Sequence, residues 1–227
     1  MKVLIFGTTY IDTETKQKLA CQWDAMHEAL NPGCDLLLVD SDSLFPAHGV
    51  HSTLQLGNNI GHLSRGGQDG WGRAFCAGLQ YAIYRGYDYA VHIEGDSLCK
   101  LDVMKMCKEM WCTGTVCCGT DVIGTKHKEK NWVETGLMFF DVQFLQRSQL
   151  ITRYDWNDGG KKRYPNTPEA VLFELLGNNL TMMPWFHLRD DVGILKLNNV
   201  NEFSWITHAA PEVFDAFFAH NVPKVPA

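Results

Sequence analysis

Apolar and polar positions along this chain follow two periods, and the switches between them mark the elements. The first run, Val3-Leu4-Ile5-Phe6, is continuous and reads as a buried strand. Leu19, Trp23, Met26 and Leu30 then recur at spacings of four, three and four, the apolar stripe of a helix. Asp12 or Thr13 can cap its start, and Asn31-Pro32-Gly33 stops it. Asp35 to Asp40 is a second buried strand that ends in a carboxylate. A Gly-rich stretch from Gly57 to Gly72 leads into a helix whose apolar face is Trp71, Phe75, Leu79 and Ile83, with Gly86 at its end. Tyr87 to Ile93 is the next strand. Further along, the pattern predicts helices over Val103 to Trp111, Pro168 to Leu176 and Pro211 to Ala219. It predicts strands over Val116 to Gly119, Trp132 to Asp141 and Leu180 to His187. Thr167 precedes Pro168 as an N-cap before a proline at the first helical position. Tyr154 to Asn166 is polar, holds Gly159-Gly160, and reads as a mobile loop.

Strands alternating with helices imply an α/β fold with a mostly parallel central sheet and helices on both faces. With 227 residues, 45% of them hydrophobic, the chain can bury one substantial core, so a single domain is expected. The net charge of −6 and the lack of a long basic run argue against nucleic-acid binding. The eight cysteines include no C-x-x-C pair and no zinc-finger spacing, so reduced and mostly buried thiols are expected. The first apolar run is too short for a signal peptide or a membrane span. No transmembrane segment is expected, and the protein reads as cytoplasmic.

In an open parallel sheet, ligands bind at the carboxyl ends of the strands. The first strand is followed by Thr8, Thr9 and Tyr10, the second ends in Asp40-Ser41-Asp42, and the third is followed by Glu94-Gly95-Asp96-Ser97. Three polar strand ends make a coherent site. Gly7-Thr8-Thr9-Tyr10 is not G-x-G-x-x-G, and no P-loop motif occurs, so a phosphate must be held another way. Glu94 and Asp96 supply hard carboxylate oxygens, which suit Mg²⁺ or Mn²⁺ bridging to a substrate's phosphates.

The ordered set from Gly72-Arg73-Ala74-Phe75-Cys76-Ala77-Gly78-Leu79 to Ile93-Glu94-Gly95-Asp96-Ser97 resembles the core of GT-A glycosyltransferases, especially the family-two type. There a basic residue precedes an A-x-N-x-G-like helix, and the next strand ends in D-x-D. This chain departs twice, with Glu94 in the first acidic place and Cys76 in the usual Asn place. The resemblance implies a single Rossmann-like GT-A domain, with residues 1–100 binding a nucleotide-sugar and metal and residues 101–227 binding the acceptor. It implies that Thr8, Thr9 and Tyr10 line the nucleotide pocket, that Asp40 contacts base or ribose, and that Arg73 lies near base or phosphates. Asp96 would bind the metal directly, with Glu94 and Gly95 beside it. Glu169 would be the catalytic base, with Glu134 as the alternative, and His208 or His187 would complete the metal site. Trp156, with polar neighbours, is the exposed aromatic expected to meet an acceptor sugar. The implied activity is metal-dependent transfer from a nucleotide-diphosphate donor, a UDP-sugar first, to a hydroxyl on a glycan, lipid-linked or protein acceptor, with inversion favoured. A nucleotidyltransferase of similar architecture and a non-catalytic nucleotide-sugar or glycan-binding module are the alternatives.

Overall fold

The computed structural model describes residues 1–47, 52–60, 68–121, 133–154, 167–183, 187–189, 205–207 and 211–222. The first half of the chain runs β1 (Val3–Thr9), α1 (Glu14–Leu30), β2 (Asp35–Asp40), β3 (Thr53–Gln55), α2 (Gln68–Tyr84) and β4 (Tyr89–Ile93). Then follow β5 (Leu98–Cys99), α3 (Val103–Thr113), β6 (Cys117–Asp121), β7 (Val133–Asp141), α4 (Val142–Ser148) and α5 (Leu150–Arg153). The chain continues with α6 (Pro168–Leu176), β8 (Leu180–Met182), β9 (His187–Arg189), β10 (Trp205–Thr207) and α7 (Pro211–Asn221).

Seven strands form the central sheet in the order β3-β2-β1-β4-β7-β6-β8. β3, β2, β1 and β4 are mutually parallel. β7 runs antiparallel to both β4 and β6, and β8 returns parallel to β6. The expected mostly parallel sheet is thus present, with one reversed strand inside it. A second sheet, β5-β10-β9, begins two residues after Asp96.

The pleat sorts the core. Alternate residues of a strand face opposite sides. Val3 and Ile5 of β1, Val91 of β4 and Phe139 of β7 pack with Trp23 and Met26 of α1 and Phe214 and Phe217 of α7. Leu4 and Phe6 of β1, Ala90 of β4 and Phe140 of β7 pack with Phe75 and Leu79 of α2 and Leu172 of α6. Helices therefore cover both faces, as expected.

Local signals explain the ends of the elements. Thr13, not Asp12, caps α1, its hydroxyl accepting from Lys16 N at 3.2 Å. Asp102 caps α3 through Lys105 N, and Gly114 closes it in the left-handed region at φ +70°. Thr167 holds the N-cap position of α6 but makes no side-chain cap bond. One strand expectation is corrected. Leu180 to His187 is not one strand: β8 joins β6 in the central sheet, and β9 joins β10 in the second. Pro184 stands between them in sequence and lacks the N–H that a continuous ladder requires. Tyr154 is buried, and the rest of the Tyr154 to Asn166 stretch lies outside the described residues. All eight cysteines are free thiols, five of them buried.

One buried group makes the fold acid-sensitive. His27 of α1 is fully buried against the Trp23 ring, and among the described residues neither ring nitrogen has a hydrogen-bond partner. Burial pushes its pKa down to about 3. An unfolded chain takes up this proton near pH 6.5, whereas the folded chain does not. The stability contributed by the neutral ring is therefore complete above about pH 6.5 and falls as pH drops from there toward 3. By about pH 5 the loss from this residue is on the order of 2 kcal/mol. Urea melts of wild type and His27→Leu at about pH 7.5 and pH 5 are expected to show a shallower pH dependence in the variant by this amount. An identical pH dependence in the two proteins would refute the assignment.

Candidate active site

β2, β1 and β4 are neighbours, so the polar groups at their carboxyl ends lie side by side. The backbone ties the three ends together. Ser41 N donates to Thr9 O at 3.0 Å, and Gly95 N donates to Thr8 O at 3.3 Å. A Cβ on residue 95 would stand 3.0 Å from that Thr8 oxygen and 3.4 Å from Thr9 Cβ, so glycine permits the close approach of the β4 turn to β1.

A cavity of about 430 Å³ opens at this edge. Thr8, Thr9 and Tyr10 line it from β1 and the loop after it, Ser41 from the β2 turn and Glu94 from the β4 turn. Asp12 and Lys16 contribute from the start of α1, Asn59 from the connection after β3, and Gly70, Trp71 and Ala74 from α2. Lys16 Nζ lies 2.8 Å from Asp12 Oδ1, and this ammonium holds the Asp12 carboxyl below its ordinary pKa.

Beneath the cavity floor, His92 of β4 is fully buried and touches the Phe6, Trp71 and Phe75 rings. Its Nδ1 lies 2.7 Å from Thr135 O, which can only accept, so the hydrogen bond assigns the ring proton to Nδ1. Burial lowers its pKa to about 4 against the opposing effects of Thr135 O and Asp96, so the ring is neutral at pH 7. Nε2 then accepts from the Thr8 hydroxyl 3.4 Å away.

The expected site residues divide. Thr8, Thr9, Tyr10 and Glu94 share the cavity wall, and Gly95 supports it. Asp96 does not itself line the cavity; it is half-buried in the same turn, which Ser97 N closes by donating to Glu94 O at 2.9 Å. Asp40 does not line the cavity. Its buried carboxylate accepts from Ser43 N at 3.0 Å and from the Ser43 hydroxyl, which itself accepts from Ile11 N at 2.7 Å. Asp40 thus pins the β2 turn to the segment after β1. Arg73 does not line the cavity either. Its guanidinium donates to Leu56 O, Asn58 O and Asn58 Oδ1 at 2.7, 2.9 and 2.6 Å, bracing the connection after β3.

Glu134 is buried in β7, three residues before Leu137, which pairs with Ile93. It therefore sits on the strand that flanks the Glu94–Asp96 turn. Glu169 occupies the first turn of α6, which packs against β7. His187 starts β9 with its side chain outside the described residues, and His208 and Trp156 lie outside them altogether. Trp205 is fully buried in the core. Among the described residues, no three His, Cys, Asp or Glu side chains converge closely enough to hold a metal ion by themselves. Asp12, Lys16, Asn59 and Trp71 were not anticipated as lining residues. The i,i+4 spacing of Asp12 and Lys16 across a helix start was the available signal for that pair.

An α/β sandwich whose sheet runs 3-2-1-4-7-6-8, with a small second sheet starting just after an acidic turn, is the GT-A glycosyltransferase fold. Solved glycosyltransferases share it. A glycosyltransferase involved in glycosylating the major capsid of PBCV-1 superposes with a TM-score of 0.61 at 8% identity, covering 96% of this chain and 99% of that one. An active-site mutant of LgtC gives 0.60 at 11% identity, covering 100% and 98%. The bifunctional WbbM glycosyltransferase gives 0.58 at 13% identity, where this chain is covered to 98% but spans only 50% of the WbbM chain. No protein-family model and no curated protein sequence matches. No helix among the described residues is long and apolar enough to cross a membrane.

Proposed function

We propose that this protein is a glycosyltransferase that takes a sugar from a nucleoside-diphosphate donor, UDP-linked first, and passes it to an acceptor hydroxyl. The observation that carries the reading is the cavity at the joined ends of β1, β2 and β4, lined by Thr8, Thr9 and Tyr10 together with Glu94 of the acidic turn. Its volume of about 430 Å³ lies within the usual range for small-ligand sites. LgtC, which shares the fold, has been solved with donor and acceptor sugar analogs.

The residues present fit a divalent cation. Mg²⁺ and Mn²⁺ are commonly held by one or two carboxylates, with substrate phosphates and waters completing the shell. Glu94 and Asp96, half-buried in one turn at the cavity edge, are such a pair. When bound, the cation offsets the charge of the departing diphosphate. β10 runs antiparallel to β5, with Ile206 opposite Leu98, so it advances toward the Asp96 end of β5. His208 follows it in sequence, which favours His208 over His187 as a further ligand.

The chain's own groups do the rest. Tyr10 and Trp71 offer aromatic surface to the ligand, and Thr8, its own proton turned toward His92, presents lone pairs to a ligand donor. Glu169, in the first turn of α6, is the proposed base for the acceptor proton, and Glu134 is the alternative. A base of this kind accompanies inversion at the sugar.

Thermal melts with UDP, with and without Mn²⁺, test the reading, because a ligand that binds the native state raises the midpoint. UDP is expected to raise it, and more so with Mn²⁺. Incubation with UDP-sugars and Mn²⁺ is expected to release UDP slowly without acceptor. Failure of any nucleotide to shift the midpoint would remove the proposal.

A further inference from the structure

Among the described residues lining the cavity, Lys16 alone carries a positive charge, and it shares the wall with the carboxylates of Asp12 and Glu94. Beside a divalent cation, a diphosphate entering this cavity is further stabilised by a cationic donor from the chain. Arg73 is poorly placed to serve, because its planar fork is already hydrogen-bonded to Leu56 and Asn58. Lys16 has the opposite character. Its flexible stem leaves the first turns of α1, and Nζ rests 2.8 Å from Asp12 Oδ1 and 6.0 Å from the Tyr10 ring centre. The two side chains are 49% and 36% exposed, and an exposed pair of this kind is held weakly. A diphosphate brings more negative charge than one carboxylate and several acceptor oxygens for the three N–H donors of an ammonium.

We propose that Lys16 is a diphosphate-binding residue, paired with Asp12 in this structure and transferred from that carboxylate to the phosphates of the bound nucleotide. The proposal rests on the nucleotide-sugar reading above and adds to it the residue that meets the phosphate charge. Asp12 is the resting partner of the ammonium, which the incoming phosphates displace.

Calorimetric titration of wild type, Lys16→Met and Asp12→Asn with UDP and with uridine, all with Mn²⁺, tests it. The exposed side chain lets Lys16→Met fold normally, which a melt in the absence of ligand checks. Lys16→Met is expected to weaken UDP about tenfold or more while leaving uridine unchanged. Asp12→Asn, which frees the ammonium and removes a nearby negative charge, is expected to hold UDP at least as tightly as wild type. If wild type binds UDP and Lys16→Met binds it equally well, the assignment fails while the nucleotide reading stands. If Lys16→Met loses uridine as much as UDP, the residue shapes the cavity and does not bind phosphate, which also overturns the assignment. An Asp12→Asn protein weakened as much as Lys16→Met would overturn the transfer. Wild type that binds neither ligand would overturn the nucleotide reading and this assignment with it.

Discussion

Asp96→Asn is expected to abolish the Mn²⁺-dependent part of UDP binding and to slow donor turnover on the order of 10²–10³-fold. The substitution keeps the shape of the side chain and removes its charge. Asp96 sits in a short turn fixed at three points: Glu94 N donates to Gly136 O at 2.9 Å, Gly95 N to Thr8 O at 3.3 Å, and Ser97 N to Glu94 O at 2.9 Å. The turn belongs to both sheets, leaving β4 of the first and entering β5 of the second within four residues. A carboxylate there is held by backbone geometry that the amide variant preserves, so the loss would be one of charge and ligation. UDP titrations with and without Mn²⁺, beside release of UDP from its sugar conjugate, measure both halves. An Asp96→Asn protein that keeps the Mn²⁺ dependence of wild type places the cation elsewhere. A parallel Glu94→Gln variant then separates the two carboxylates of the turn.

The contrast between Glu94 and Asp40 shows how far the sequence reaches. Both follow apolar strands, and both read as site residues by the same strand-end rule. Asp40 turns back to the amide and hydroxyl of Ser43, a contact three residues away that helps hold Ile11. Nothing in the local pattern tells a cavity-lining carboxylate from one that closes a turn. The bracing role of Arg73 was hidden for the same reason, since its partners Leu56 and Asn58 lie in a connection without periodic signal. Lys16 shows the opposite case. At an exposed position of an amphipathic helix it reads as a solvated charge, and only the packing of α1 against β1 brings it to the cavity.

Long elements were legible because burial writes a period into them. β1 and β2 carry continuous apolar runs, as does the stretch from Leu137 to Phe140 in β7, and α1, α2 and α6 carry clear stripes or caps. The short strands β3, β5 and β10 have three, two and three residues, too few to show any period. Their pairing comes from partners far away in sequence, as in Trp205 opposite Cys99. The second sheet beside the acidic turn was therefore invisible to the pattern, although it is what positions the residues after β4.

Gly78→Ala is expected to destabilise the protein by about 2 kcal/mol net, a fall of roughly 4–8 °C in melting temperature for a chain of this size. Helix propensity alone predicts the reverse, since alanine is favoured over glycine inside a helix by about 1 kcal/mol. Tertiary contact decides the sign. Gly78 lies in α2 where the helix crosses β1, and a Cβ built there would stand 2.9 Å from Phe6 Cγ and closer still to its Cδ2 and Cε2. Phe6 is fully buried, with the Phe75 ring centre 6.1 Å away on one side and the His92 ring centre 5.0 Å away on another. The ring cannot yield without disturbing the residue that fixes the Thr8 hydroxyl. Phe6→Leu in the Gly78→Ala background supplies the internal check. Each single change is expected to destabilise, and the pair to cost clearly less than the sum, because the smaller side chain makes room for the methyl. Strict additivity in urea melts of the four proteins, or a stabilised Gly78→Ala single variant, would mean that α2 can lift off β1 at little cost. The wall of the cavity carried by Trp71 and Ala74 of the same helix would then be free to move.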